Sequence, residues 1–517
     1  MDETYDVVII GGAFSGASTG LLLKRNNPGL RVLIIERAEA FDRKVGESTT
    51  EVSSGFLTRT LGLAHYLSHH QLTKQGLRMW FCNSPDGKFD ECSEIGGGYN
   101  SRISGFQVDR ATLDEHILEK AVEAGCALWR PVKVESFELG GIGKNKITVK
   151  RDGVEQTVIS KWLVDASGRA TLIARQQKTL ELMKEHPTNS LWARFTHVKD
   201  WDGYELHKKY PCWAKKMCTQ RGLATNHLNG LGWWCWIIPL KGGDVSVGLV
   251  YDTRLFKSPE GKRVGDRLKT HFQCHPVGRE ILGEAQVREE DQKAYSQLPY
   301  RVGKTMGDGW AIVGDAAGFL DPLYSPGLDF CAFTTFGVQH IVGMSCEGKE
   351  VSEEIARYSD RFAFCFRSWF EGIYRDKYYY LGDAELMSAA ILLDIAAYHL
   401  GPVKQVYEDP MNNFASFPFD GKAGQLASRL ISFYNRRLVV IAKKKLAAGI
   451  YGNKNTNHRL VLTGFTPQNN VSGKLLFKGI GLWLRMELAS LLWPKARKRS
   501  VMVDAVKSSE MKSEESA

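Results

Sequence analysis

The stretch Tyr5-Asp6-Val7-Val8-Ile9-Ile10-Gly11-Gly12-Ala13-Phe14-Ser15-Gly16 decides the fold. Residues 5–10 are a short, apolar, β-rich run, as expected of a strand buried on both faces of a parallel sheet. The turn after it carries Gly11, Ala13 and Gly16 in a GxAxxG arrangement, with Ala in place of the middle glycine. From Ala17 to Lys24 a leucine-rich helical pattern follows. Residues 31–35 then read as a second strand ending on Glu36, 25 residues after Gly11. In such a unit Gly11 permits the tight turn, a small residue at 13 lets the backbone approach a pyrophosphate, and Gly16 allows close helix–strand packing. Phosphate then meets free amides at the start of the helix, around Phe14 and Ser15, where the dipole favours anions. Glu36, with Arg37 beside it, can bond both hydroxyls of an unphosphorylated ribose, which favours FAD or NAD over NADP. The bland alternative is a glycine turn, but strand, loop, helix, strand and terminal acid all stand in register.

The rest of the chain sets bounds. It has 517 residues, 43% apolar and 24% charged, with 51 Gly and 16 Pro. That usage excludes collagen-like, coiled-coil and largely disordered chains, and at ~100–200 residues per domain it predicts two to four units. The net charge is +10, which suits an acidic partner, a membrane surface, nucleic acid or plain solubility. No nucleic-acid recognition motif accompanies it, so no nucleic-acid partner is expected. Ten cysteines without a CxxC pair or zinc-finger spacing fit reduced thiols and a cytoplasmic location; no metal site is expected. The acidic start lacks the basic region of a signal peptide. No uncharged apolar run reaches ~18 residues, so no transmembrane helix is expected.

Two further segments select FAD. Residues 162–169, W-L-V-D-A-S-G-R, are a strand ending on Asp165 and Gly168; residues 310–318, W-A-I-V-G-D-A-A-G, are a strand entering Gly314-Asp315. Both resemble flavin motifs of the group A flavoprotein monooxygenase superfamily. The resemblance implies that Asp315 contacts the ribityl chain and that Arg110, in Q-V-D-R-A-T-L-D (107–114), lies near the cofactor. The alternative for Arg110 is a surface charge at a helix start. Two more segments narrow the family: Gly46-Glu47-Ser48-Thr49, and a W-x-W-x-I-P segment at Trp234, Trp236, Ile238 and Pro239. With the flavin motifs, these resemble the flavin-dependent halogenases of the tryptophan and phenol halogenase type, over roughly residues 5–345. Taken alone, the W-x-W-x-I-P segment is equally a strand packing aromatic residues into a sheet.

In that family reduced FAD and O2 convert halide to hypohalous acid, and a lysine on a strand after G-E-S-T directs it onto an aromatic ring. The resemblance carries this role to Lys74, 28 residues after Gly46, in T-K-Q-G-L-R-M-W-F (73–81). An ammonium out of water has three donors and an easily lowered pKa. Arg78 is a rival, and a solvated surface lysine is the bland reading. After Asp315 the chain runs F-L-D-P-L-Y-S-P-G-L-D (319–329), similar to the family's halide-holding loop; Pro322, Gly327 and Leu328 join Ser48 in the implied flavin set. The halide set implied is Ser325 and Gly327. Here the sequence departs from the tryptophan halogenases: Pro326 stands where they have Thr and so lacks an N–H, and Tyr324 stands where they have a Glu. The implied substrate is therefore a phenol, a pyrrole or a larger aromatic scaffold, free or held on a carrier protein. No second nucleotide fingerprint follows, so reduced flavin comes from a separate reductase or from transiently bound NAD(P)H.

The expected architecture is α/β. A Rossmann-type FAD domain spans 1–180 and 295–345, a β-sheet substrate domain 181–294 and a helical region 346–500, with 501–517 a disordered tail. Aromatic residues at helical spacing from Tyr358 to Tyr380 read as core, with a substrate-pocket wall as the alternative. The apolar run 475–493, ending in Lys495, Arg497, Lys498 and Arg499, reads as a docked core helix, with a peripheral membrane contact as the alternative; Gly479 and Gly481 weaken it as a helix. An FAD-dependent aromatic hydroxylase or reductase and a non-catalytic flavin-binding protein remain rival functions.

Overall fold

Strand Glu3–Ile10 lies at the centre of a sheet whose parallel strands end at one level. Ile10 pairs with Ile35 on one side and with Asp165 on the other, and Asp165 pairs in turn with Ile312. The order runs Met306–Gly307, Trp310–Ile312, Val154–Asp165, Glu3–Ile10, Val32–Ile35, Ala127–Trp129, with Lys133–Glu138 and Asn145–Arg151 appended as antiparallel strands. The carboxyl ends of four parallel strands therefore place Gly11, Glu36, Ala166 and Gly314 along one edge, where open α/β sheets bind ligands. The computed structural model describes residues 3–97, 103–408, 417–462 and 471–493.

The glycines of the first turn are sterically required. Gly11 has φ +101°, and a Cβ there would stand 2.6 Å from the Ala166 carbonyl oxygen. A Cβ on Gly16 would stand 1.8 Å from the Gly11 oxygen, so helix Phe14–Asn26 can lie this close to the strand only without a side chain. That helix packs on helices Arg110–Glu123 and Gly327–Cys346.

A second eight-stranded sheet runs Gln286–Tyr295, Thr188–Thr196, Val245–Asp252, Trp233–Pro239, Thr225–Gly230, Leu77–Phe81, Ser93–Gly96, Arg459–Leu460. Its extent corrects the expected boundaries of 181–294. Residues 77–96 leave the flavin unit to add two strands, and Arg459–Leu460 returns to pair in parallel with Ser93–Gly96. The parallel pairing of Leu77–Phe81 with Thr225–Gly230 joins the early segment to the inserted one. The W-x-W-x-I-P strand alternates as a pleat requires. Trp234, Trp236 and Ile238 enter the main core, while Cys235 and Ile237 enter a second core under helices Val264–Gln273 and Pro276–Leu282.

The C-terminal region is helical from Ser352, as expected. Tyr358, Phe362, Phe366, Phe370, Tyr378 and Tyr380 are buried core. The stretch Ala384–Glu408 is long and apolar enough to cross a membrane, but 72% of its window is buried inside the protein. Asp383 caps it through the Glu385 and Leu386 amides and pairs with buried Lys445. Residues 471–489 are helical despite their glycines, and Gly479 has a reason to be there. A Cβ on it would meet Leu393 and Leu392 at 3.0–3.1 Å, so the glycine lets this helix lie against Ala384–Leu400. The basic cluster at 495–499 and the 501–517 tail lie outside the described residues.

Gly16→Val should force the first helix off the sheet. Overpacking of this kind costs ~1–3 kcal/mol or more. The expected result is a thermal midpoint lowered by several degrees with loss of co-purifying flavin, read by differential scanning fluorimetry and flavin absorbance.

Candidate active site

The cradle at the sheet edge fits FAD. Helix Phe14–Asn26 starts at Ala13, which provides no side-chain cap, and has no acid in its first turn. Its first amides are left for an anion. Glu36 is buried and accepts from the Gly12 amide (2.7 Å) and the Ala38 amide (2.8 Å), tying the glycine turn to the end of the second strand; Arg37 is exposed beside it. Ser15 sits against Gly314, where a Cβ would approach its Oγ to 2.1 Å, so the first and third motifs touch. The Asp315 carbonyl accepts from the Tyr300 hydroxyl at 2.7 Å. Its carboxylate, pushed up by burial against the pull of Arg110, Arg169 and Lys44, has no hydrogen-bond partner among the described residues, as a group held for a ribityl hydroxyl would.

Arg110 is not a surface charge. It forms a two-pronged pair with buried Asp114 (2.9 and 3.1 Å), its guanidinium lies 5.4 Å from the Phe14 ring centroid, and Lys44 joins the same Asp114 at 2.7 Å. The Asp165 carboxylate accepts from the Ser167 amide (2.9 Å) and the Ile173 amide (2.8 Å), so it closes the turn at Gly168 (φ +60°). The second motif's acid is thus an internal Asx-type brace.

Behind the cradle lies a cavity of about 250 Å³ lined by both Lys74 and the Tyr324-Ser325-Pro326 loop. Lys74 ends strand Leu72–Lys74, which pairs with Gly105–Gln107. Its Nζ donates to Ser48 Oγ and to the Thr49 carbonyl, each at 2.9 Å. Ser48 therefore serves Lys74, and it also meets Thr225 Oγ1 at 3.1 Å. Burial brings the Lys74 ammonium down to about 8, against the opposing pull of Glu51 and Asp329. Arg78 is no rival: its guanidinium is fully buried with Glu94 and the Thr219 carbonyl and hydroxyl, outside the cavity lining. Glu47 of G-E-S-T is buried against Arg194 (2.6 Å), which also holds Asp109 (2.8 Å). Burial pushes Glu47 up to about 7 even so.

The loop after Asp315 is strained and braced. Tyr324 and Ser325 both have positive φ, +68° and +57°, conformations that cost L-residues of order 1 kcal/mol or more each. Asp321 accepts from the Leu323 amide (3.0 Å) and from Tyr378 (2.9 Å), and His186 Nε2 lies 3.0 Å away. Trp234 donates to Tyr378 at 3.0 Å, and Tyr374 donates to the Leu323 carbonyl at 2.8 Å. The W-x-W-x-I-P strand thus reaches the flavin-side loop through Tyr378. The Ser325 amide donates to the Pro322 carbonyl at 3.0 Å. Ser325 therefore has no backbone donor to spare, and the expected halide pair reduces to the Gly327 amide at the helix start, followed by buried Leu328.

Sequence reading missed several cavity residues. Asp329 accepts from Thr50 Oγ1, the Ser53 amide (3.0 Å) and Tyr398 (3.0 Å), and burial pushes it up to about 6. His227 is held neutral, down to about 3, by burial and by Lys74. Its Nδ1 has no partner among the described residues. Asp394, Tyr398 and His399 come from the Ala384–Leu400 helix, and Trp369, Ile373 and Tyr374 complete the wall. The aromatic C-terminal run is therefore both core and pocket wall. Only Asp329, at the end of the quoted loop, carried a local signal.

The sequence profile described as FAD binding domain matches residues 4–240. The chain is 29% identical over 355 residues to tetracycline 7-halogenase of Kitasatospora aureofaciens, covering 63% of this chain and 61% of that protein. It is 27% identical to a brominase of 1H-pyrrole-2-carbonyl on a peptidyl-carrier protein from Pseudoalteromonas luteoviolacea, covering 69% and 82%. Among solved structures, the halogenase PltM superposes with a TM-score of 0.73 at 16% identity, covering 93% of this chain and 98% of that one. The sheet edge, the cradle and the matching FAD-binding profile define an FAD-dependent oxidoreductase. These relatives and this solved structure, which the chain resembles, are flavin-dependent halogenases.

Against burial, the Glu51 charge and then the Asp329 charge favour the protonated Lys74. In the native protein the rate of Lys74 acylation, followed by peptide mass spectrometry, should rise with pH around a midpoint of about 8. In Asp329→Asn the midpoint should move to lower pH. An unchanged or higher midpoint would separate the two groups.

Proposed function

We propose that the chain is an FADH2-dependent halogenase of a phenol- or pyrrole-like aromatic substrate, with Lys74 as the catalytic residue. The observation that carries this reading is the single cavity lined at once by Lys74 and by the loop following the flavin motif. Bound and reduced, FAD together with O2 supplies the oxidising equivalent that turns halide into hypohalous acid. The chain's part is placement. Ser48 Oγ and the Thr49 carbonyl aim the Lys74 ammonium. While charged, it donates a hydrogen bond to hypohalous acid and holds the electrophile against the ring. Neutral His227, with Nδ1 unpaired among the described residues, offers an acceptor for a phenol or pyrrole proton, which raises electron density at the carbon attacked. Apolar Ile391, Ile395 and Phe419 in the lining suit an aromatic scaffold and exclude water. Relatives named for pyrrole on a peptidyl-carrier protein support a carrier-bound substrate, and reduced flavin comes from a separate reductase.

One observation favours a second reading, an FAD-dependent aromatic hydroxylase: the halide loop has no N–H at Pro326 and none free at Ser325. Purified protein supplied with FAD, a flavin reductase, NADH, O2 and either bromide or chloride, then assayed on phenols and carrier-bound pyrroles by mass spectrometry, separates the two. Halogenated product is expected, with a rate reduced ~10²–10⁴-fold in Lys74→Ala, the loss typical of removing a positioned proton donor. Hydroxylated product that ignores halide supports the second reading.

Charge also sets a pH limit. The active ammonium is present below about pH 8 and lost above it, so kcat/KM should fall on the alkaline side of that value; a rise there would assign the neutral amine instead. Pro326→Thr restores an N–H beside Gly327. A hydrogen bond to an ion is worth ~1.5–3 kcal/mol, so the halide KM should drop about tenfold or more, and an unchanged value would remove this loop from halide binding.

A further inference from the structure

Two C-terminal helices, Gly421–Ala447 and Val471–Ala489, run side by side in the same direction. Phe433 meets Trp483 edge-on at 6.0 Å, Arg437 pairs with Glu487 at 2.7 Å, and Lys444 donates to Ser490 at 3.0 Å. Their inner faces are accounted for: Ile431 and Leu438 are buried on the first, and Leu475 and Met486 on the second, which lies on Ala384–Leu400. Their outer faces are anomalous for a surface in water. Leu430 and Phe433 are 58% and 48% exposed on the first helix. On the second, Phe477, Leu484 and Leu488 are 74%, 47% and 67% exposed, and Leu492 just beyond it is 87% exposed. The spacing 477, 484, 488, 492 is a continuous stripe along one helical side.

The exposed charged residues of the two helices are all of one sign. The exposed charged residues of the first helix are Lys422, Arg429, Arg436 and Lys443; those of the second are Lys474, Lys478 and Arg485. No exposed Asp or Glu occurs on either helix among the described residues; Glu487 is partly buried in its pair with Arg437. None of the seven cations makes an ion pair among the described residues, although the whole chain carries 58 acidic residues against 68 basic ones.

We propose that this paired-helix face is a docking surface for an anionic lipid bilayer, on which both helices lie in the plane of the interface. Large exposed apolar side chains gain little from a hydrated acidic protein but bury fully at the headgroup–acyl boundary. Lysine and arginine at the margin of such a stripe keep their stems on the apolar side and place their charges among anionic headgroups. The chain leaves the apolar end of the second helix at Trp493, and its sequence continues with Lys495, Arg497, Lys498 and Arg499.

The test uses the full chain in its flavin-bound form. Sedimentation with vesicles of phosphatidylcholine alone should leave it in solution. With vesicles of phosphatidylcholine and phosphatidylglycerol in equal parts it should be carried down, less so as salt is raised. Leu488→Glu with Leu492→Glu, and separately Lys478→Glu with Arg485→Glu, should each weaken that binding about tenfold or more, with thermal midpoint and flavin content unchanged because these side chains are exposed. Failure to bind anionic vesicles, or binding that both double variants retain, overturns the proposal. Light scattering that shows a dimer turned into a monomer by the same leucine substitutions, without vesicle binding, assigns the face to a second copy of the chain.

Discussion

Everything in this molecule hangs on the level at which parallel strands end. Ile10, Ile35, Asp165 and Ile312 are register partners in a chain of parallel pairings, so four strand-to-loop turns from distant parts of the sequence open along one edge. The turns can stay close only because Gly11 and Gly16 have no side chains to meet the Ala166 and Gly11 carbonyls. The uncapped helix start and an acid at the next strand end follow from that register.

The second half of the site is electrostatic. Lys74 is fixed by two hydrogen bonds and lowered by burial, while Asp329 and Glu51 pull its proton back. Asp329 in turn is braced by Thr50, Ser53 and Tyr398. A carboxylate displaced upward and an ammonium displaced downward in one cavity mark an environment that penalises charge on both sides, the usual surroundings of reactive groups. The strained Tyr324-Ser325 turn lines the same cavity. It is held by Asp321, which ties it through Tyr378 to Trp234 of the second sheet. The aromatic strand thus braces the flavin-side loop without entering the cavity lining.

The C-terminal helices serve two surfaces. Ile431 lines the cavity, while Leu430 and Phe433 on the same helix face outward. The wall of the pocket and the apolar, basic outer face are therefore one turn of helix apart, and what touches the outside lies close to what the pocket holds.

Sequence alone determined the flavin unit. Glycines at 11 and 16, apolar strands and Glu36 are local requirements, each readable from a few neighbouring residues, and the missing N–H at Pro326 is equally local, whereas the role of Lys74 was implied only by the resemblance that G-E-S-T carries. It did not show that the Asp165 carboxylate closes its own turn, because a strand-terminal acid looks the same whichever way it is engaged. It undersized the second sheet, because the strands at 77–96 and 459–460 join partners more than a hundred residues away. It did not register His227, Asp394 or Tyr398, since pockets are assembled across sequence distance and leave no periodic mark. Only the tertiary structure decided that Arg78 is bound to Glu94 while Lys74 faces the cavity, that the Ser325 amide is already used, and that the glycines at 479 and 481 interrupt no helix. In each case the deciding fact is a contact between segments far apart in the chain, and such a contact comes into being only when the fold closes.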